Sequence, residues 1–245
     1  MSRVLNVYVP PNAFYEMFFL LTRGYPRSEA LELVKRRYKL ARPEAILLSR
    51  CIHPKHVSNS IQSKLVVVAN IKGRNLAIDG FNQLTTIYAA VIGAPVFVCS
   101  DGLTRDALLA GPRLVVENID TLTPVLTTLF GMIRPRETVI VFDSQPSRSG
   151  ETASLLRRRL ENYNVAVEVS KTADKRIIEY ASSGYVVASS DIAITTNTSI
   201  NAVFDLAGFA IKELLPGAKV NNIPRLLGEL HMRWCGGAAG EGPVA

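Results

Sequence analysis

From residue 76 onward, short apolar runs rich in β-branched residues alternate with longer stretches whose apolar residues recur at helical spacing. The runs cover 76–78, 95–99, 138–142, 165–169 and 185–188, and the helical stretches cover 84–92, 124–133, 151–163 and 174–181. Strands with helical crossovers predict an α/β domain with a mainly parallel, doubly wound sheet, Rossmann-like and flanked by helices. A further β-branched run lies at 65–68, followed by a turn at 72–74. The segments 201–215 and 223–234 read as closing helices, and the Gly/Ala-rich tail at 236–245 is expected to be disordered.

The first quarter carries a different pattern. Pro10 and Pro11 open a helix bearing Phe14, Met17, Phe18 and Leu21, which Gly24 and Pro26 stop. Ser28 is the expected N-cap of a second helix, with Ala30, Leu31, Val34 and Tyr38 on one face and Lys35, Arg36, Arg37 and Lys39 elsewhere. Pro43 opens a third, through Ile46, Leu47 and Arg50, which ends at His53-Pro54. The expected organisation is a helical module at 1–56, an α/β domain at 57–235 and the tail.

Charge sharpens this division. The net charge is +7, and residues 1–56 hold ten Lys/Arg against four Asp/Glu. The remainder is balanced, with 18 against 17. A polyanion is therefore drawn to the helical module, although a solvated helix face has the same composition. No apolar run approaches the roughly 20 residues of a membrane span, and the N-terminus lacks a signal-peptide pattern, so the expected setting is cytoplasmic. Cys51, Cys99 and Cys235 are odd in number without CxxC spacing, which indicates neither a disulfide framework nor a zinc knuckle. Cys51, His53 and His56 form at best half a zinc site, with no second pair following.

The candidate chemistry lies where the apolar runs end. Four of them terminate on aspartate: Asp79, Asp143, Asp191 and, after Cys99-Ser100, Asp101. Parallel strands deliver such residues to one edge, where ligands of open α/β sheets bind. Asp174, at the start of a helix that follows another strand, is expected to project there too. Gathered carboxylates repel unless protons or a cation offset them, and oxygen-only ligation suits Mg²⁺ or Mn²⁺. The competing reading is that each aspartate caps the next helix; that explanation is strongest for Asp101 and Asp174.

Three segments carry a resemblance. IDGFNQL at 78–84 looks like the first-strand motif of the NYN branch of the PIN-like metal-dependent nucleases, and VIVFDS at 139–144 resembles that family's second acidic strand end. KTADKRIIEYASSGYVVASSDIAI at 171–194 resembles its third and fourth elements, and the ordered set spans about 120 residues. The resemblance implies a PIN-like fold and catalytic, metal-binding aspartates at Asp79, Asp143, Asp174 and Asp191, with Asn82 orienting the first; Asp101, by its strand-end position, is a supporting candidate. RGYPRSEALELVKRRYKLARPEAILLSR at 23–50, DGLTRD at 101–106 and DLAGFAIKELLPG at 205–217 resemble an uncharacterised, largely archaeal family in which a helical module precedes a PIN-like domain.

Other chemistries lack their signatures. There is no GxxxxGK[ST] loop and no GxGxxG after a strand. A haloacid-dehalogenase-type Asp-x-Asp is absent, since Phe81 and Gln145 stand two residues after Asp79 and Asp143. The expected function is Mg²⁺- or Mn²⁺-dependent phosphodiester hydrolysis, foremost of single-stranded RNA. Lys35, Arg36, Arg37, Lys39, Arg157 and Arg158 are the candidate phosphate contacts, and Tyr38 is either a stacking platform or a core residue. A non-catalytic RNA- or ribonucleoprotein-binding module and a metal-dependent phosphatase on a small phosphoester are the alternatives.

Overall fold

The structure is a computed structural model and describes residues 7–107, 112–145 and 148–236. The helical module comprises α1 (Pro11–Thr22), α2 (Arg27–Tyr38), α3 (Arg42–Cys51) and α4 (Lys55–Gln62). Pro11 opens α1, whose Ala13, Phe14, Met17 and Leu21 face inward at helical spacing. The second helix starts one residue before Ser28, behind Pro26, so Ser28 is not its cap. Pro54 ends one helix and immediately precedes another. The sequence reading took His53-Pro54 only as a stop and missed α4.

The α/β part follows as β1 (Asn75–Asp79), α5 (Gly80–Val91), β2 (Val96–Val98), β3 (Thr104–Asp106), α6 (Pro112–Glu117), α7 (Ile119–Ile133), β4 (Glu137–Asp143), α8 (Ser149–Arg159), β5 (Val165–Ser170), α9 (Ala173–Ser182), β6 (Val186–Ala188), α10 (Ile192–Thr195), α11 (Leu206–Leu214), β7 (Val220–Asn222) and α12 (Ile223–Gly236). Residues 65–68 do not form a named strand. Leu65 makes an isolated parallel bridge to Val203, and a 3-10 turn occupies Val68–Asn70. The expected disordered tail, beyond Gly236, lies outside the described residues.

The main sheet runs β5-β4-β1-β6 and is parallel throughout. Alternate residues of its strands serve opposite layers, as the two-residue period of a strand requires. Leu76, Ile78, Ile140, Phe142 and Val186 pack with α5, α7, α8 and α11, while Ala77, Val139, Val141 and Val187 meet Ile177 of α9, Ile194 and Ile61 on the other side. The order reverses at β1: the chain steps outward to β4 and β5, then crosses back to place β6 on the far side. Gly80 sits at this point because a Cβ would lie 2.5 Å from the Phe142 ring.

The run 95–99 does not join that sheet. It yields β2, which pairs antiparallel with β3 and parallel with β7 in a second sheet of three strands. Phe97 and Cys99 share a core with α1, α2, α3 and with Ile223 and Leu227 of α12. The helical module is therefore packed onto the second sheet and the last helix, not tethered as a separate lobe. A Cys51–Cys99 disulfide with an S–S distance of 2.04 Å ties α3 to the end of β2. Cysteine number and spacing had indicated no such bond, because the pairing is created by packing between distant segments.

Candidate active site

Each acidic side chain is placed by a strand end or by the turn after one. Asp79 closes β1 and precedes α5; Asp143 closes β4, and its Oδ1 accepts the Gln145 amide at 2.8 Å. Asp174 lies in the first turn of α9, directly after β5. Asp191 follows β6 and caps α10, with Oδ1 accepting the Ala193 amide at 2.7 Å. Capping and site membership thus coexist at Asp191.

All four line one cleft of about 790 Å³ at the carboxyl edge of the main sheet, together with Asn82, Phe81, Arg113 and Arg148. Among the described residues, no three His, Cys, Asp or Glu side chains stand as a closed ligand cage; the carboxylates are spread around the cleft. Their charges add to the effect of burial at Asp79 and Asp174. Burial, with the charges of Asp191 and Asp174 adding to it, pushes the Asp79 carboxyl up to about 7, against the Ser189 hydroxyl and the Asn82 amide that stabilise its anion. Asp174 is raised too, by partial desolvation and then by Asp191 and Asp143. Carboxylate oxygens around one cleft are the donor type that a hard divalent cation takes.

Two serines in the β6–α10 link, which the sequence reading missed, organise this edge. Ser189 Oγ donates to Asp79 Oδ2 at 2.9 Å and accepts the Asp191 amide at 3.1 Å. Asn82, expected to orient Asp79, gives it a backbone N–H, and its side chain braces the other serine: Oδ1 accepts the Ser190 N–H and hydroxyl, each at 2.9 Å. The signal lay in the polar pair separating the apolar strand from Asp191.

Asp101 does not reach the cleft, because β2 belongs to the second sheet. Its carboxylate is fully buried and takes both terminal nitrogens of Arg105, at 2.8 and 2.6 Å. His53 Nε2 lies 3.6 Å away. Burial first, and then Arg105 and Arg27, outweigh the attraction of Asp101 and lower the His53 pKa to about 4, so the ring is neutral. With Cys51 in a disulfide and His53 buried here, the zinc half-site does not form.

The basic candidates divide. Arg36 on α2 and Lys39 just after it are exposed, while Lys35 pairs with Glu32 at 3.2 Å and Arg37 with Glu16 at 2.6 Å. Part of the module's positive excess is structural: Arg27 donates to the Ser49 and Ile52 carbonyls, and Arg50 to that of Asp106. Tyr38 packs against the module's core. Arg157 donates to the Val167 carbonyl at 2.8 Å, which makes it a strap onto β5. Arg158 is exposed and lines a depression that shares Val116, Glu117 and Arg148 with the acidic cleft.

Residues 68–208 match the family described as "Domain of unknown function (DUF5616)", and residues 11–64 match "Protein of unknown function (DUF434)". The first match covers more than half of the sequence, and the chain belongs to that family. The two matches meet between residues 64 and 68, after α4. The curated "Uncharacterized protein MJ0935" of Methanocaldococcus jannaschii is 29% identical over 199 residues, 80% of this chain and 93% of that protein. No solved structure matches the chain. Among the described residues, no helix is long and apolar enough to cross a membrane.

Proposed function

We propose that this DUF5616-family chain is a cytoplasmic, metal-dependent phosphodiesterase of the PIN/NYN-like kind, acting on single-stranded RNA. The observation that carries the reading is the convergence of Asp79, Asp143, Asp174 and Asp191, from four separate segments, on one cleft where the strand order reverses. These four carboxylates would hold Mg²⁺ or Mn²⁺, which supplies charge neutralisation at the scissile phosphate and a bound water of lowered pKa. Asp79 and Asp191, joined through Ser189, form the floor of the site. Asp174, exposed at the rim of the cleft, would complete this oxygen set. Arg148 and Arg158 lead a phosphate backbone away from the cleft, and the exposed cations of α2 hold more distant nucleotides.

The test separates holding from cutting. Changing Lys35, Arg36 and Arg37 together to Ala is expected to reduce the salt dependence of RNA affinity by up to about two units of slope, at roughly 0.7 per phosphate contact. Mn²⁺-dependent cleavage of a short oligonucleotide stays within about twofold, because none of the three lines the cleft. RNA binding without any Mn²⁺-dependent cleavage would identify a binding module. Hydrolysis restricted to small phosphoesters would identify a phosphatase.

A further inference from the structure

We infer that Arg105 is a positioning residue for the acidic edge, clamping the Ser190 carbonyl and thereby fixing Asp191 against Asp79. Its link to catalysis rests on the metal-dependent reading above; its positioning role does not. Strand β6 ends at Ala188, so the link Ser189-Ser190 leaves the sheet ladder before it reaches Asp191. Among the described residues, side-chain hydrogen bonds hold this link. On one side, Asn82 takes the Ser190 N–H and hydroxyl, and Asp79 takes the Ser189 hydroxyl. On the other, Arg105 donates to the Ser190 carbonyl through Nε at 3.0 Å and Nη2 at 2.6 Å.

The clamp is built in depth. Arg105 is 3% exposed and Asp101 0%, and the guanidinium fork is committed on one edge to both Asp101 oxygens. Asp101 Oδ1 also accepts the Leu103 amide at 3.2 Å. Behind it stand neutral His53, whose backbone amide donates to Ser100 Oγ at 2.9 Å, and the Cys51–Cys99 bond. A buried ion pair is a poor source of stability compared with apolar packing. What this pair adds is a guanidinium held at one position and aimed at one carbonyl. The second sheet thus reaches the Ser190 carbonyl through Arg105, beside the packing of Ile61 and Leu103 against Ala77, Val187 and Ile194.

Removing Arg105 alone would leave Asp101 buried and unpaired, so the principal variant is Asp101→Asn/Arg105→Met, with Arg105→Lys as the second. Lysine keeps the charge, but one ammonium cannot replace the fork. In the full-length protein, the amides of Ser190, Asp191 and Ala193 are expected to exchange roughly tenfold faster in either variant, with α7 unchanged. Mn²⁺ affinity, followed by water-proton relaxation, is expected to fall about 10–100-fold, and kcat to fall with little change in KM for RNA. Unaltered exchange at those three amides in a folded variant overturns the inference. If wild-type protein binds no Mn²⁺ yet the exchange accelerates, Arg105 keeps its positioning role and the metal-dependent reading alone fails.

Discussion

Replacing Asp79 with Asn is expected to abolish the proposed Mn²⁺-dependent RNA cleavage, by more than about 100-fold, while making the metal-free protein more stable at neutral pH. The two effects share one cause. In the folded chain the Asp79 carboxyl is pushed from 3.8 to about 7, chiefly by burial and then by Asp191 and Asp174. Between roughly pH 4 and 7 the folded state therefore retains a proton that the unfolded state has released, and the metal-free protein loses stability as pH rises through that window. The full shift corresponds to at most about 4 kcal/mol, and the partial exposure of Asp79 leaves about half of that. Asn cannot ionise and keeps an oxygen for the Ser189 hydroxyl. The variant is expected to melt on the order of 5 °C higher at pH 7.5 and to match wild type near pH 4. Thermal unfolding at the two pH values in chelator checks this. A lower melting temperature at pH 7.5 would make Asp79 a structural hydrogen-bond acceptor.

Opening the Cys51–Cys99 disulfide has the largest expected effect on stability. The bond closes a sequence separation of 48 residues between α3 and the end of β2. Loop-closure entropy for that length corresponds to about 4 kcal/mol, or roughly 8–16 °C in melting temperature for a chain of this size. Double substitution to Ala, which leaves two small vacated volumes in a fully buried region, is expected to fall at the upper end. Melting curves with and without reductant measure the effect. A difference below about 2 °C would show that packing of the shared core holds the two segments together without the cross-link.

The parallel sheet and its acidic edge were legible because both are written locally. A β-branched run followed by Asp and a helical period specifies strand, strand end and helix start; three such units place Asp79, Asp143 and Asp191, and the helix start after β5 places Asp174, without long-range information. Asp101 has the same local signature and a different fate. Which sheet a three-residue strand joins depends on its partners, and β2 pairs with the polar, exposed β7 at Val220–Asn222, a segment with no strand pattern of its own. The Cys51–Cys99 bond and the Arg105–Ser190 contact are likewise products of packing between segments far apart in sequence. Asn82 meets Asp79 through its backbone N–H, while the Ser190 contacts of its side chain are not specified by residue type. Lys35 and Arg37 show the limit of charge counting, because net charge does not reveal carboxylates such as Glu32 and Glu16 already beside them.

The central claim is that the four aspartates form one metal-binding edge. Crystals of the full-length protein soaked in Mn²⁺, with anomalous scattering collected at the manganese edge, test it most directly. The account predicts an anomalous peak in the cleft within about 2 Å of carboxylate oxygens from at least three of Asp79, Asp143, Asp174 and Asp191, and loss of that peak in Asp79→Asn. Anomalous density elsewhere on the protein with none in this cleft at millimolar Mn²⁺ would contradict it.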